Sequence, residues 1–290
     1  MKVCLAGLGT QPKFQSAVQA NPVGLVLDYV GSQKRYYDIP EDTHLILRSE
    51  LHTRWAKCAH LWDETSPDVG SEDDRIKAMS TLMKRLDDII DWSKRYEYSY
   101  ISLEMPRLMY EELPPDFQEF VPNLMFTVKD LRDLSWAINN FTMVGISSDI
   151  DLAKFRSQLS ENMEIVRDRN VLFHGWGRTD KATLLSGIFY SVDSSSWSTG
   201  KFGNVYQYLG NLYVKVYNPR RKTSANIKQR LVEEAVSLGI DRDLFLEGNK
   251  HALNAFNAHQ WTRLGRDADL LSGYWSASSS FESKNMKKKV

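Results

Sequence analysis

The chain has 290 residues, and its 37 lysine and arginine residues balance 37 aspartate and glutamate residues to a formal net charge of zero. At 42 % apolar content it can bury a large core, and its overall charge argues neither for nor against a polyanionic partner. Two cysteines cannot build a disulfide framework, no Cys/His cluster has zinc-ligand spacing, and no run of about 18 apolar residues suggests a membrane span.

Eight short apolar runs follow one another: Val3 to Ala6, Gly24 to Leu27, His44 to Leu47, Tyr100 to Leu103, Leu124 to Phe126, Thr142 to Ile146, Val171 to Phe173 and Ile188 to Val192. Helical periodicity fills gaps between them. Met79, Leu82, Met83, Leu86, Ile89 and Ile90 form one apolar stripe, and Leu152, Phe155, Leu159, Met163 and Val166 form another. Strands alternating with helices imply parallel pairing, and eight of them predict an α/β fold of the TIM-type (β/α)8 barrel kind. The rival, a doubly wound open sheet, usually carries a Gly-rich phosphate turn after its first strand. Gly7-Leu8-Gly9 lacks the third glycine of that fingerprint.

The pattern changes near residue 200. Val205 to Tyr217 alternates β-formers around Gly210-Asn211, which predicts a hairpin, and helices are expected at Ala225 to Leu238 and Lys250 to Arg263. The expected organisation is a barrel core over 1–200, a basic hairpin with C-terminal helices packed on the barrel over 201–275, and a disordered Ser- and Lys-rich tail over 276–290. Met1 to Gly9 lacks a cleavable apolar core, so a cytoplasmic location is expected.

Polar residues gather at the predicted strand ends. Asp28 follows the second run, Arg48-Ser49-Glu50 and His52 the third, Glu104 the fourth, Ser147-Ser148-Asp149 the sixth and His174 the seventh. A closed barrel brings such tips together on one face. Asp193 ends the eighth run and opens a polar loop, Ser194 to Gly200. Two readings of Asp193 stand side by side: a reactive carboxylate held by a strand tip, or a cap for the following turn. Beyond it, Lys201, Lys215, Arg220, Arg221, Lys222, Lys228 and Arg230 follow with no intervening acid, which predicts a basic surface.

The segment Val171 to Gly200 resembles the last two barrel strands of the tRNA-guanine transglycosylase superfamily, and most of all its DNA-acting, DpdA-like branch, which inserts 7-deazaguanine bases into DNA. The likeness rests on His174-Gly175-Trp176-Gly177 and on Tyr190 to Trp197, YSVDSSSW. Weaker likeness runs through Met1 to Gly7, Leu45 to Trp55, Tyr100 to Glu104 and Met143 to Ser148. The resemblance implies that Asp193 is a nucleophile attacking the anomeric carbon of a nucleoside. Two departures shape what else it implies. Arg48-Ser49-Glu50 stands where the family has Asp-Ser-Gly, so a base acceptor has become a permanent cation. The three-Cys, one-His zinc site of the tRNA enzymes cannot be built here.

Cleavage of an N-glycosidic bond builds positive charge on the sugar, which a carboxylate stabilises or captures. The expected machinery is Asp193 with Glu104 or Glu50 as second acid. Asp28, Arg48, Ser49, His52, Asp149, His174, Trp176, Ser194 and Trp197 would contact substrate, and the basic stretch would hold DNA phosphates. No cofactor and no metal are expected. The expected activity is a DNA glycosylase acting on an atypical or modified base, in a role suited to antiviral defence. Base exchange, a non-catalytic nucleic-acid-binding barrel and a hydrolase of free nucleosides are the alternatives.

Overall fold

The computed structural model describes residues 1–32, 37–49, 51–62, 70–111, 113, 117, 121, 123–217 and 224–271. Eight parallel strands close into a barrel in sequence order: β1 Lys2–Leu5, β2 Gly24–Asp28, β3 His44–Arg48, β4 Tyr100–Ser102, β5 Leu124–Val128, β6 Met143–Ile146, β7 Leu172–Gly175 and β8 Ser191–Ser194. The outer layer includes α1 Gln11–Gln19, α2 Glu72–Ser93, α3 Leu134–Asn140, α4 Leu152–Glu161 and α5 Met163–Asp168, with shorter turns between. Ser71 and Asp74 form a reciprocal capping box at the start of α2, and three acids in its first turn complement the helix dipole. The stripe expected from Leu152 to Val166 is broken at Asn162 into α4 and α5.

Residues alternate across each strand between two cores. Outward-facing Val3, Leu5, Leu25, Leu27, Leu45, Leu47, Val144 and Val192 meet the helices in one large cluster. The barrel interior holds a separate one: Cys4, Ala6, Val26, Ile46, Met125, Met143 and Trp176. Burial on both faces explains why the strands read as continuous apolar runs rather than alternating ones.

β8 starts three residues later than its apolar run. Phe189 precedes the strand and stacks on Phe155 at 5.8 Å, whereas the strand itself turns polar Ser191 and Asp193 inward. The predicted hairpin is present as β9 Val205–Tyr208 and β10 Val214–Tyr217, turning through left-handed Gly210, Asn211 and Leu212. Helices α6 Ala225–Ser237, α7 Arg242–Leu246 and α8 Lys250–Leu271 follow.

Helix α8 packs on β1 and α1, the place of the barrel's last outer helix, and extends beyond its expected end. Gly265 permits the close approach, since a Cβ there would meet Val3 Cβ at 3.2 Å. One face of α8 is a buried amide row that satisfies backbone groups of the preceding segment. Asn254 Oδ1 accepts from Gly200 N at 2.9 Å, Asn257 Oδ1 from Tyr206 N at 2.8 Å and Gln260 Oε1 from Tyr208 N at 3.0 Å. Among the described residues, no helix is long and apolar enough to cross a membrane.

Candidate active site

Register places the polar interior residues side by side. Asp28, Arg48 and Ser102 are neighbours across β2, β3 and β4, and Thr127, Gly145, His174 and Ser191 are neighbours across β5 to β8. Asp193 lies beside Cys4. Glu104 follows β4 by two residues and is 8 % exposed, with φ +51°. A left-handed backbone at a non-glycine residue costs about 1–2 kcal/mol, and such strain concentrates at functional positions.

Arg48 is the hub of this group. Its Nε donates to Asp28 Oδ1 at 2.6 Å, and its guanidinium lies 5.4 Å from the centre of the Trp176 ring. Burial works against its charge, but Asp28 first, then Glu104 and Asp193, outweigh that and hold its pKa above the ordinary arginine range. Burial pushes the Asp28 carboxyl up; Arg48 opposes this through charge and hydrogen bond, while Asp193 and Glu104 add to it. Three carboxylates thus share one permanent cation. The same concentration of negative charge, after burial, pushes the Cys4 thiol up, with Asp193 as the next cause. Cys4 is therefore a buried, protonated thiol and not a nucleophile.

Asp193 is 4 % exposed and is held through one oxygen. Its Oδ1 accepts from Gly177 N at 2.6 Å and lies 3.6 Å from His174 Nε2. Among the described residues Oδ2 accepts no hydrogen bond, so the carboxylate is oriented by one atom and presents the other. Gly177 has φ +64°, which lets the turn aim its N–H at the carboxylate. This gives the His174-Gly175-Trp176-Gly177 motif a physical meaning. His174 is fully buried, with Nδ1 2.8 Å from Ser191 Oγ. Trp176 donates from Nε1 to Thr127 Oγ1 at 3.0 Å, and Ser102 Oγ lies 3.0 Å from the same hydroxyl. The indole crosses Gly145, where a Cβ would come within 2.5 Å of Nε1.

The sequence-selected residues divide into two groups. Asp28, Arg48, Glu104, His174, Trp176 and Asp193 come together. Ser49 and Ser194 follow inward residues on their strands and face the other way: Ser49 Oγ donates to Leu103 O, and Ser194 Oγ accepts from Ser196 N at 3.2 Å. Asp149 is exposed in a loop beside Ser147. Trp197 corrects the expectation of a substrate contact: it is fully buried, and its Nε1 donates to Ala6 O at 2.8 Å. Its role is to lock the loop after β8 onto β1. Glu50, Arg220, Arg221 and Lys222 lie outside the described residues, as does the 276–290 tail; His52 opens a short helical turn. Lys215 belongs to β10 and Lys228 and Arg230 to α6, while Lys201 lies in the turn Gly200–Phe202, the second turn after β8.

Sequence reasoning missed Ser102, Thr127 and Gly145. Their signal was positional, since each is the small or hydroxyl residue at an inward position of an otherwise apolar strand. It also missed Arg178, whose Nη2 donates to Ser147 O at 2.6 Å and to Ile150 O, clamping the loop after β6.

The architecture is that of a (β/α)8 barrel whose interior, at the C-terminal ends of its strands, carries an arginine among three carboxylates. Comparisons with protein-family models, with curated proteins and with solved structures give no match for this chain.

Proposed function

We propose that the protein cleaves the N-glycosidic bond of an atypical or modified base in DNA, as a DNA-acting relative of the tRNA-guanine transglycosylase superfamily. The observation that carries this reading is Asp193 at the end of β8, oriented through Oδ1 by Gly177 N–H at 2.6 Å, while Oδ2 accepts no hydrogen bond among the described residues. A carboxylate so held suits attack on an anomeric carbon. In this scheme Oδ2 bonds to C1′ as the C1′–N bond breaks, and the bonding electrons leave with the base. Glu104, having taken up a proton on substrate binding, delivers it to the departing nitrogen. Water then attacks C1′, loses its proton to the Glu104 carboxylate, and releases Asp193 and an abasic site. An incoming base attacking in place of water would make the enzyme a transglycosylase.

Arg48 favours hydrolysis of an unusual base over the family's guanine exchange. It is a fixed donor where that family has an acceptor, its side chain keeps 25 % exposure, and Asp28 and the Trp176 face fix its plane. A base entering from a duplex must be flipped out, at a cost of about a few kcal/mol, and a guanidinium plane offers a stacking surface. The test is incubation with DNAs carrying different base modifications, with mass spectrometry of released bases and alkali cleavage at abasic sites. Base release by wild type and none by Asp193→Asn supports the proposal. Equal release by both would end it, as would no release from any substrate.

A further inference from the structure

The loop between β1 and α1 meets the loop after β8 directly beyond the strand pair that carries Asp193. Gly7, at φ +79°, passes so close that a Cβ there would lie 3.3 Å from Ser195 Cβ and 3.4 Å from Ser198 Oγ. Trp197 fixes this junction from below through Ala6. Onto it the first turn of α1 brings Lys13, whose Nζ donates to Ser198 Oγ at 3.4 Å. Lys201 stands on the neighbouring turn Gly200–Phe202, its Nζ 4.8 Å over the Phe202 ring.

The two lysines repel each other. Burial and then the charge of Lys201 lower the pKa of half-buried Lys13, with Asp28 pulling the other way. Among the described residues neither lysine makes a salt bridge, and the first turn of α1 holds no acid. A partly desolvated ammonium on the Ser198 hydroxyl, with a second ammonium near enough to act on its charge, is an arrangement that a bound anion relieves. Lysine is a point-charge partner for phosphate oxygens; Ser198 Oγ, which donates to Ser195 O at 3.0 Å, positions Lys13, and the Ser195 hydroxyl can donate to the anion. The register neighbours Cys4 and Asp193 lie on the two strands that lead into this junction, so an anion held there flanks the nucleophile.

We propose that Lys13, Lys201, Ser195 and Ser198 form a phosphate subsite that takes the backbone phosphodiester next to the nucleotide attacked by Asp193. The subsite requires only a phosphate ester; that the ester belongs to DNA rests on the function proposed above.

Two measurements separate these claims. One follows binding of a fluorescent DNA oligonucleotide across a salt series, for wild type, Lys13→Gln, Lys201→Gln and Lys13→Arg, each checked for folding by thermal melt. The other follows the lysine side-chain NMR signals during titration with inorganic phosphate. Each Gln variant is expected to reduce the slope of log affinity against log salt by about one, with Lys13→Arg restoring it. Inorganic phosphate is expected to shift the Lys13 and Lys201 signals. Tight DNA binding with an unchanged slope in both Gln variants overturns the subsite and leaves the DNA reading standing. A wild type that ignores DNA while phosphate shifts both lysines keeps the subsite and overturns the DNA reading. No response to either ligand overturns both.

Discussion

The two ends of the barrel interior bury polar groups in opposite ways. At the N-terminal end, Lys2 lies 5.2 Å over the Tyr190 ring, and His44 stands edge-on to Tyr190 at 5.4 Å and to Tyr100 at 6.1 Å. Aromatic faces receive the cation there, and burial, then Lys2 and His174, push the His44 pKa down to about 3. That end keeps its imidazole neutral. At the C-terminal end, beyond the apolar layer of Cys4, Val26, Ile46, Met125 and Met143, the same strands gather Asp28, Glu104 and Asp193 around Arg48. Ionised groups are expensive to bury, and packed apolar residues would serve stability at least as well. The difference separates a floor that keeps its buried base neutral from a mouth that gathers carboxyl groups around a cation.

The largest expected effect tests the mouth. Asp193→Asn keeps an oxygen for the Gly177 N–H, so the melting temperature should change little. On the proposed function, base release should fall by about 10⁴-fold or more, since loss of a nucleophile is not compensated by its neighbours. Single-turnover release and a thermal melt on one preparation check both halves. A floor substitution should do the reverse. His44→Phe is expected to leave turnover at neutral pH near wild type and to change the acid limb of stability. Below the ordinary histidine pKa the unfolded chain takes up a proton that buried His44 refuses, so the native state loses about 1.4 kcal/mol per pH unit until its own depressed pKa is reached. Removing His44 should flatten urea-measured stability between pH 6 and 4. An unchanged pH profile would show that the floor imidazole takes up its proton over the same range as in the unfolded chain and would remove the contrast.

Arg48→Met sharpens the comparison further, because it leaves Asp28 among acids without its ion-pair partner. The 25 % exposure of the Arg48 side chain moderates the penalty for breaking a buried pair to about 2–3 kcal/mol at neutral pH. The sign with pH follows from Asp28. Its carboxyl is already pushed up by burial, so the stability it contributes is present at low pH and lost as pH rises through the raised value. Without Arg48 that loss deepens, and the deficit of the variant should shrink as acid protonates Asp28. Denaturant titrations of both proteins from pH 7 to 4 measure it.

The fold was legible because all eight strands are buried on both faces and so read as short apolar runs between turn residues. The site was legible only where charge stood at a strand end. Ser49 and Ser194 were selected for standing next to Arg48 and Asp193, yet strand alternation turns each away from its neighbour. Ser102, Thr127 and Gly145 were passed over because an inward hydroxyl or glycine resembles a weak strand position until register shows what it supports. The amide row of α8 was invisible for a similar reason: Asn254, Asn257 and Gln260 look like a solvated face, and only the hairpin laid against them explains their burial. Trp197 misled because an aromatic residue shortly after Asp193 suggests a substrate contact. Trp197→Phe should therefore cost about 1–2 kcal/mol of stability through the lost hydrogen bond to Ala6 and a small void, with base preference unchanged. A change of base preference without loss of stability would return Trp197 to the pocket.

The smallest effect is expected on the flank. Lys215 and Lys228 are exposed on β10 and α6, and the Lys215 ammonium rests 5.2 Å over the Tyr217 ring. Both follow Asp193 in sequence, but the hairpin is laid along α8 by Tyr206 N and Tyr208 N rather than across the strand tips. Interactions beyond about 10 Å are largely screened at 0.1 M salt, so on the proposed function charges along that flank should add little to binding at the mouth. The double variant Lys215→Gln, Lys228→Gln should leave the salt dependence of DNA binding almost unchanged, measured beside Lys13→Gln as the reference that does change it. Equal reductions by the two proteins would mean that DNA runs down the α8 side as well as over the mouth. The basic stretch would then be one continuous track, and the division between a chemical mouth and a merely solvated flank would fail.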